Sequence, residues 1–183
     1  YASKILKTPL KEKVAGVEMA AKIIEYAAKE HKKLYFFGGA KASDGKKAVW
    51  ELAADALREK YPAIEIDGRD GFFGEEETDD IIDAINQSGA QILFVCLGAP
   101  KQERFIYKNR KKFTSVRFAA GLGGTLDVFA GVADRAPEFY LKHNLEWLYR
   151  FSKNPSRVGR MMKLPKFLVG TVLHGNKPNQ TAK

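Results

Sequence analysis

The fold is decided by residues 91–111, which read QILFVCLGAPKQERFIYKNRK. The first seven residues are a short, almost continuous apolar run, which is typical of a strand buried on both faces of a parallel sheet. Gly98, Ala99 and Pro100 end that run, because glycine and proline punctuate regular structure. We therefore predict a buried strand, a tight turn and a helix that starts at about Lys101.

The same strand–turn–helix unit recurs through the first two thirds of the chain. Strands that alternate with helices of ten to fifteen residues indicate βαβ units and a parallel sheet. We therefore predict an α/β fold, a Rossmann-like parallel sheet flanked by helices. The predicted strands are residues 34–37, 63–66, 91–97 and 116–120, and the predicted helices are residues 17–31, 46–60, 75–87 and 101–111.

The pattern changes after Gly131, where mostly helical stretches are predicted at about 137–143, 144–152 and 155–173. We assign residues 1–133 to an α/β core and residues 134–183 to a helical C-terminal region. That region has ten Lys and Arg against three Asp and Glu, whereas the first 133 residues have 21 against 19. Most of the net charge of +9 therefore belongs to the C-terminal region.

The composition is that of a globular protein, with 45% hydrophobic and 29% charged residues. The single cysteine, Cys96, lies in the apolar run, so we interpret it as a buried core thiol rather than a reactive one. A lone cysteine favours a reducing, cytoplasmic compartment. No apolar run approaches the ~18 residues of a spanning helix. The three histidines lack metal-ligand spacing, so no metal site is predicted.

Glycine or proline clusters follow each predicted strand. In an open parallel sheet, ligands bind at the carboxyl ends of the strands, where glycine lets backbone N–H groups approach a phosphate. Each cluster alone is more often an ordinary tight turn, but all four are predicted to share one edge, which favours a nucleotide crevice. The clusters are Gly38-Gly39, Gly68 with Gly71, Gly98-Ala99-Pro100 and residues 121–124.

Two familiar phosphate motifs do not fit. Five residues separate Gly39 from Gly45, where a P-loop has four, and Lys47 occupies the position of the magnesium-binding Ser or Thr. The glycines at 121–124 lack the G-x-G-x-x-G spacing and come late in the chain, so a nicotinamide fingerprint is also weak.

Polar side chains at this edge are candidates for ligand contact. Lys101 could face a phosphate, while Gln102 and Glu103 could bond hydroxyls or a base; a plain first turn of a helix is an equal alternative. Asp127 lies among apolar residues beyond the last strand, and a buried carboxylate needs partners such as a uracil N–H or a ribose hydroxyl. A local turn cap explains Asp127 equally well.

The C-terminal region carries arginines at helical spacing. Arg157 and Arg160 are three residues apart and share one helix face, and their forks suit diphosphate oxygens. A solvated basic face is the plainer alternative. Residues 161–173 interleave apolar side chains with Lys163 and Lys166, which fits an interfacial membrane anchor or a protein-docking helix.

Six motifs in order resemble the WecG/TagA/CpsF family of glycosyltransferases, and they cover nearly the whole chain. Within the family the TagA type is closer, because the basic helix suits membrane docking. The motifs are the segments 9–10 and 14–16, DGFF at 70–73, GAPKQE at 98–103, GLGGTLD at 121–127, RAP at 135–137 and LEWLYR at 145–150.

The resemblance implies an inverting transfer of N-acetylmannosamine from UDP to the 4-hydroxyl of GlcNAc on undecaprenyl diphosphate, in wall teichoic acid linkage-unit synthesis. It implies no metal and no other cofactor. The implied partners are the UDP-sugar, the lipid-linked acceptor and an anionic membrane surface on the cytoplasmic side, with no nucleic acid and a possible homo-oligomer. Other members use donors such as UDP-N-acetylmannosaminuronic acid.

Motif positions and glycine turns together assign the site. The resemblance places Gln102 at a sugar, Asp127 at uracil and the arginines at the diphosphate, and it places the general base, an Asp, before Tyr1. Predicted catalytic residues are Gln102, Arg150, Arg157 and Arg160, and predicted nucleotide-sugar contacts are Gly38, Gly39, Phe73, Gly98, Pro100, Lys101, Gln102, Glu103, Gly121, Gly123, Gly124 and Asp127.

Two other functions remain as alternatives. A non-catalytic nucleotide-binding α/β module would bind UDP without turnover. A nucleic-acid-binding protein, suggested by the pI of about 9.5, would bind any polynucleotide with strong salt dependence. The regular apolar face of residues 161–173 argues against the second.

Overall fold

The computed structural model describes residues 2–6, 8, 14–134, 137, 139–140, 143, 148–149 and 163–174. The chain divides into two compact units, of which one is residues 14–134 and the other combines residues 1–13 with 135–183.

The unit of residues 14–134 is built on a four-stranded sheet in the order β2-β1-β3-β4, in which every neighbouring pair is parallel. Leu34 lies opposite both Ile66 and Ile92, and Ile92 lies opposite Phe118. The predicted α/β fold is therefore confirmed. The strands are β1 Leu34–Gly38, β2 Ile66–Arg69, β3 Ile92–Cys96 and β4 Phe118–Gly121.

Helices cover both faces of this sheet. The helices of the described residues are α1 Ala2–Ile5, α2 Gly16–Lys29, α3 Val49–Lys60, α4 Thr78–Gln87, α5 Lys101–Asn109, α6 Thr125–Phe129 and α7 Lys163–His174, and a 3-10 turn, Glu75–Glu77, leads into α4. Side chains of α2, α3 and α6 pack in one core cluster, and those of α4 and α5 pack in another.

The two central strands are buried along their whole length, because each face meets a helical layer. Alternate residues of a strand point to opposite faces. Phe36 stacks on Phe94 with ring centroids 5.8 Å apart, on the α2/α3 side, while Phe37 meets Phe105 of α5 at 4.9 Å on the other side. Each such buried ring contributes about 1.5–3 kcal/mol to folding.

The prediction for β2 was wrong by about three residues. We predicted a strand at 63–66 that ends before Gly68, but the strand is Ile66–Arg69 and contains that glycine. The register with β1 places Gly68 opposite Phe36, and a Cβ on Gly68 would lie 2.7 Å from Trp50 Cε3 of α3. Gly68 therefore makes room for the indole ring rather than ending the strand.

The helix predicted from residue 46 begins at Val49 instead. The backbones of Ser43 and Lys46 pair with each other through a turn in which Gly45 has a φ of 76°. Glu51 then accepts a 2.7 Å hydrogen bond from the Ala48 N–H, which satisfies a donor at the helix start.

The other unit is described only in part. Helix α1 packs against α7, and Phe167, Val169, Val172 and Leu173 of α7 are each more than half exposed. The helix was predicted at 155–173, of which residues 155–162 lie outside the described residues. Within the described part of the chain, no helix is both long and apolar enough to cross a bilayer.

Candidate functional site

All four strands run in the same direction, so the glycine clusters that follow them meet at one edge of the sheet, as predicted. The chain leaves β1 towards β2 on one side and later returns to β3 on the other, which makes the gap between the ends of β1 and β3 the switch point of the sheet. Gly39 and Gly98 border this gap with φ values of 79° and 77°. Ligands of open α/β sheets bind at such a point.

The loop after β2 is held against the same edge. The Gly71 N–H donates a 3.1 Å hydrogen bond to the carbonyl of Gly39, and the Asp70 carboxylate accepts one of 2.8 Å from the Phe72 N–H. Arg69 also donates to the Phe72 carbonyl, at 3.3 Å. These bonds fix the loop on the rim of the gap.

The fixed loop presents one phenylalanine and buries the other. Phe73, a predicted contact residue, is half-buried against Phe37 and Phe105, with centroids 5.3 Å and 6.2 Å away. Phe72 is 61% exposed, and Lys41 Nζ lies 6.0 Å from its ring centroid. Phe72 was not among the predicted contact residues, and the signal for its exposure is that adjacent residues of an extended segment point in opposite directions.

Gln102 joins two of the turns. Its side chain is buried, and Oε1 accepts hydrogen bonds from the N–H groups of Gly98 (3.1 Å) and Gly123 (2.9 Å). Its Nε2 donates a 2.8 Å hydrogen bond to Glu103 Oε1. One amide thus ties the β3–α5 turn to the β4–α6 turn and also orients an exposed carboxylate.

The fit around this amide requires glycine at residue 121. A Cβ on Gly121 would lie 2.8 Å from Gln102 Nε2 and 2.9 Å from Gln102 Cγ, closer than real Cβ atoms come to a neighbour. Gly121 is thus explained by packing against Gln102.

Pro100 and Lys101 stand at the start of α5, where Lys101 contacts the loop that carries Phe73. The Lys101 ammonium lies 4.0 Å from the Phe73 ring centroid, which is a favourable cation–π distance. These residues line a cleft of about 780 Å³ between α4 and α5. The cleft has acidic residues (Glu75, Glu76, Asp79) on one wall and basic residues (Lys101, Arg104, Lys108, Lys112) on the other.

Asp127 belongs to α6, a helix that the sequence analysis did not predict. The carboxylate is half-buried, and its Oδ2 would lie 3.1 Å from a Cβ on Gly124. It sits in the first turn of the helix, where a negative charge is favourable. The position therefore suits both predicted interpretations, a ligand contact at the edge and a local helix-start residue.

Cys96 ends β3 directly below the edge and is buried. Burial raises the pKa of its thiol to about 12, and nearby Asp127 acts in the same direction. The thiol is therefore protonated at neutral pH and does not serve as a nucleophile. The interpretation as a buried core thiol is confirmed.

Three of the predicted catalytic residues cannot be placed at this edge. Arg150, Arg157 and Arg160 lie outside the described residues. Within the described ranges, no group of three or more His, Cys, Asp or Glu side chains is arranged to hold a metal ion.

The parallel sheet, its switch point and the glycine turns there are the features of the doubly wound α/β class of proteins, which bind ligands at this edge. The chain belongs to the WecG/TagA/CpsF family of glycosyl transferases, whose family model matches residues 1–181. The family and the glycosyltransferase class expected from the sequence are therefore confirmed.

Several curated relatives carry the name N-acetylglucosaminyldiphosphoundecaprenol N-acetyl-beta-D-mannosaminyltransferase. That of Bacillus spizizenii is 35% identical over 185 residues, covering 99% of this chain and 68% of the relative. That of Bacillus subtilis is 32% identical, covering 98% and 66%, and that of Staphylococcus aureus strain MRSA252 is 34% identical, covering 91% and 63%. The chain thus spans about two thirds of the length of these relatives.

Proposed function

We propose that this chain binds UDP-N-acetylmannosamine at the glycine-lined edge and transfers the sugar, with inversion, to the 4-hydroxyl of GlcNAc on undecaprenyl diphosphate. This reaction builds the linkage unit of wall teichoic acid. The observation that carries the proposal is the set of glycine turns at the switch point of the sheet. Relatives of the chain that are named as N-acetylmannosaminyltransferases support it. A donor of this kind carries a base, a diphosphate and a sugar, and the edge offers a group for each.

The diphosphate is assigned to the start of α5. Lys101 is exposed there, and the N-terminus of a helix adds a favourable dipole for negative charge. The backbone N–H groups of Gly98 and Gly123 are already bonded to Gln102, so they shape the turns instead of binding phosphate. Gln102 therefore acts as a positioning residue in this proposal, and the Glu103 carboxylate that it orients is assigned to a sugar hydroxyl.

The base is assigned to Asp127, whose carboxylate can accept a hydrogen bond from the uracil N3–H. Asp127 follows the turn that Gln102 anchors at Gly123. The base and the diphosphate would therefore contact two turns that the Gln102 side chain connects. We assign Phe72, which is exposed on the rim, to cover the ligand with its apolar ring.

The chemical step needs a base for the acceptor hydroxyl and cations for the departing UDP. The family resemblance implies an Asp as that base. Arg150, Arg157 and Arg160 are assigned to the developing charge on the diphosphate, where preorganised cations act most strongly. We propose that no divalent metal takes part.

We further propose that the protein is peripheral on the cytoplasmic face of the membrane, because the acceptor named for its relatives is attached to a polyprenol. The exposed apolar residues Phe167, Val172 and Leu173 of α7 provide a surface for shallow insertion. Lys163 and Lys166 on the same helix suit anionic headgroups.

Calorimetric titration tests the donor site first. UDP should bind and ADP should bind more weakly, and Asp127→Ala should remove that preference. A transfer assay then pairs UDP-N-acetylmannosamine with a water-soluble GlcNAc-diphospholipid analogue, with the Bacillus subtilis relative as positive control.

Each other outcome points to a different function. UDP binding without turnover indicates a non-catalytic nucleotide-binding module. Turnover only with UDP-N-acetylmannosaminuronic acid changes the donor but keeps the site. No UDP binding refutes the proposal.

A further inference from the structure

The unit of residues 14–134 is acidic apart from one segment. It contains seventeen Lys and Arg against nineteen Asp and Glu. Residues 101–117 alone contain seven Lys and Arg against one acid, Glu103. The sequence analysis assigned the basic character to the C-terminal region, but this unit has a concentrated basic segment of its own.

The helix of this segment has two different faces. Gln102, Phe105 and Asn109 are buried against the sheet. Arg104, Tyr107 and Lys108 are exposed at helical spacing on the outward face, and Lys111 follows at the next turn. We call these four residues the α5 outer face: Arg104, Tyr107, Lys108 and Lys111.

The cations of the α5 outer face are exposed and lie outside the ion pairs of the described residues. Lys112 pairs with Asp79 across the cleft, so the cleft side of α5 is partly balanced by acids. Among the described residues, no ion pair is formed by Arg104, Lys108 or Lys111. Arg104 and Lys108 also line the cleft opposite its acidic wall, but both are exposed, as is Lys111, so three exposed cations stand on one helix of an otherwise acidic unit.

An aromatic ring lies in the middle of these cations. Tyr107 is 68% exposed, and the guanidinium of Arg110 lies 4.2 Å from its ring centroid. An exposed tyrosine has an apolar ring and a polar tip, which suits the headgroup level of a bilayer. Solvation alone explains exposed lysines, but it gives no reason for a large ring among them.

We infer that the α5 outer face docks on an anionic phospholipid surface. The inference rests on the proposed function, because a lipid-linked acceptor brings the reaction to a membrane. Helix α5 begins at the edge of the sheet that carries the candidate site and extends about 13 Å from it, at 1.5 Å per residue. Docking along its outer face therefore brings that edge within reach of the headgroups.

A polynucleotide fits this surface less well than a membrane does. A flexible polyanion following α5 would also meet the acidic wall of Glu75, Glu76 and Asp79 across the cleft. A planar anionic surface can touch the exposed side chains of Arg104 and Lys108 without entering the cleft that they line. This helix also exposes one aromatic ring, whereas proteins that bind single-stranded nucleic acid stack successive bases on several rings.

The test compares two triple variants of equal charge. R104Q/K108Q/K111Q neutralises the α5 outer face, and K22Q/K29Q/K60Q removes three exposed lysines from α2 and α3, which cover the opposite face of the sheet. Binding to vesicles of phosphatidylglycerol and phosphatidylcholine is measured by co-sedimentation. Each basic residue at such a surface is worth about fivefold in partitioning, so the first variant should lose on the order of a hundredfold.

The control triple should bind within about threefold of the wild type, because its lysines lie on the opposite face and the surface potential falls off within about a Debye length. Any contribution of α7 is the same in both variants and cancels. Tyr107→Ala should weaken vesicle binding severalfold, whereas Tyr107→Phe keeps the ring and should bind normally.

Equal losses in the two triple variants would overturn the inference, because only net charge would then matter. Unchanged vesicle binding of R104Q/K108Q/K111Q would also overturn it. The same holds if the wild type does not bind vesicles and this variant selectively loses binding to single-stranded DNA. UDP affinity and transfer to the water-soluble acceptor should be unchanged in both variants. If the wild type binds vesicles through α5 but transfers no sugar, the proposed function fails while this inference stands.

Discussion

The amide of Gln102 allows a quantitative test of how the site is held together. Gln102→Ala removes the acceptor of two N–H groups, those of Gly98 and Gly123. An unsatisfied buried donor costs about 1–3 kcal/mol, and solvent entering at the edge relieves part of that cost. We expect a loss of about 2–4 kcal/mol in the free energy of unfolding. Gly121→Ala should cost about 1–3 kcal/mol, because its methyl group would lie 2.8 Å from Gln102 Nε2.

The double variant shows whether the two losses of stability arise from a direct contact between residues 102 and 121 or are independent of each other. Without the Gln102 amide, the new methyl group at Gly121 has no atom to strike and fills part of the space left behind. The two losses should therefore sum to about 1–2 kcal/mol more than the loss in the double variant, as for residues in direct contact. Urea denaturation of the wild type, both single variants and the double variant gives the coupling energy. Additivity within about 0.5 kcal/mol would refute the contact.

The same variants report on ligand binding. If Gln102 positions the turns, Gln102→Ala should weaken UDP about tenfold, and Gly121→Ala should also weaken it because the methyl group displaces the amide. Unchanged UDP affinity in both variants, measured by calorimetry on the folded fraction, would refute the positioning role.

Three further results are expected. Asp127→Ala should weaken UDP by about 1–3 kcal/mol, measured by calorimetry on a variant with unchanged circular dichroism, and unchanged affinity would remove the uracil role. Sugar transfer should persist in EDTA; loss of turnover that magnesium or manganese restores would contradict metal independence. Because burial raises the pKa of Cys96 to about 12, Ellman's reagent should leave the native thiol unmodified at pH 8 and react on unfolding, and rapid labelling of folded protein would contradict this.

The parts of the fold that were predicted correctly depend on local pattern. β1 and β3 are continuous apolar runs, and both are buried along their whole length because helices cover both faces. Their carboxyl ends carry glycines, and parallel pairing brings those glycines to one edge without any further information. Fold class and the location of the candidate site therefore follow from residues that are neighbours in sequence.

The errors arise where contacts between distant residues decide. Gly68 was interpreted as a strand end, since nothing nearby in sequence shows that Trp50 of α3 occupies the space above it. The hydrogen bond from the Gly123 N–H to Gln102 joins residues 21 positions apart, so the sequence alone could not show how this amide is held. Phe72 and Phe73 are adjacent residues of the same type, so the sequence does not show which ring is buried. Packing against Phe37 and its neighbours buries Phe73.

Helix α5 connects the candidate nucleotide site with the proposed membrane surface, because its buried face supports the site and its exposed face carries the surface. The inner face carries Gln102, which fixes the turns around the candidate nucleotide site, and the outer face carries the cations assigned to the membrane. A rigid helix of nine residues that shares these roles holds the site at a constant distance from the bilayer, which an acceptor anchored in that bilayer requires. Variants of the two faces should therefore differ in kind. Changes at Gln102 should impair transfer to soluble and vesicle-bound acceptors alike, whereas changes at Arg104 and Lys108 should impair transfer only when the acceptor is in a vesicle. Equal impairment with the soluble acceptor would show that the outer face acts on the site and not on the membrane.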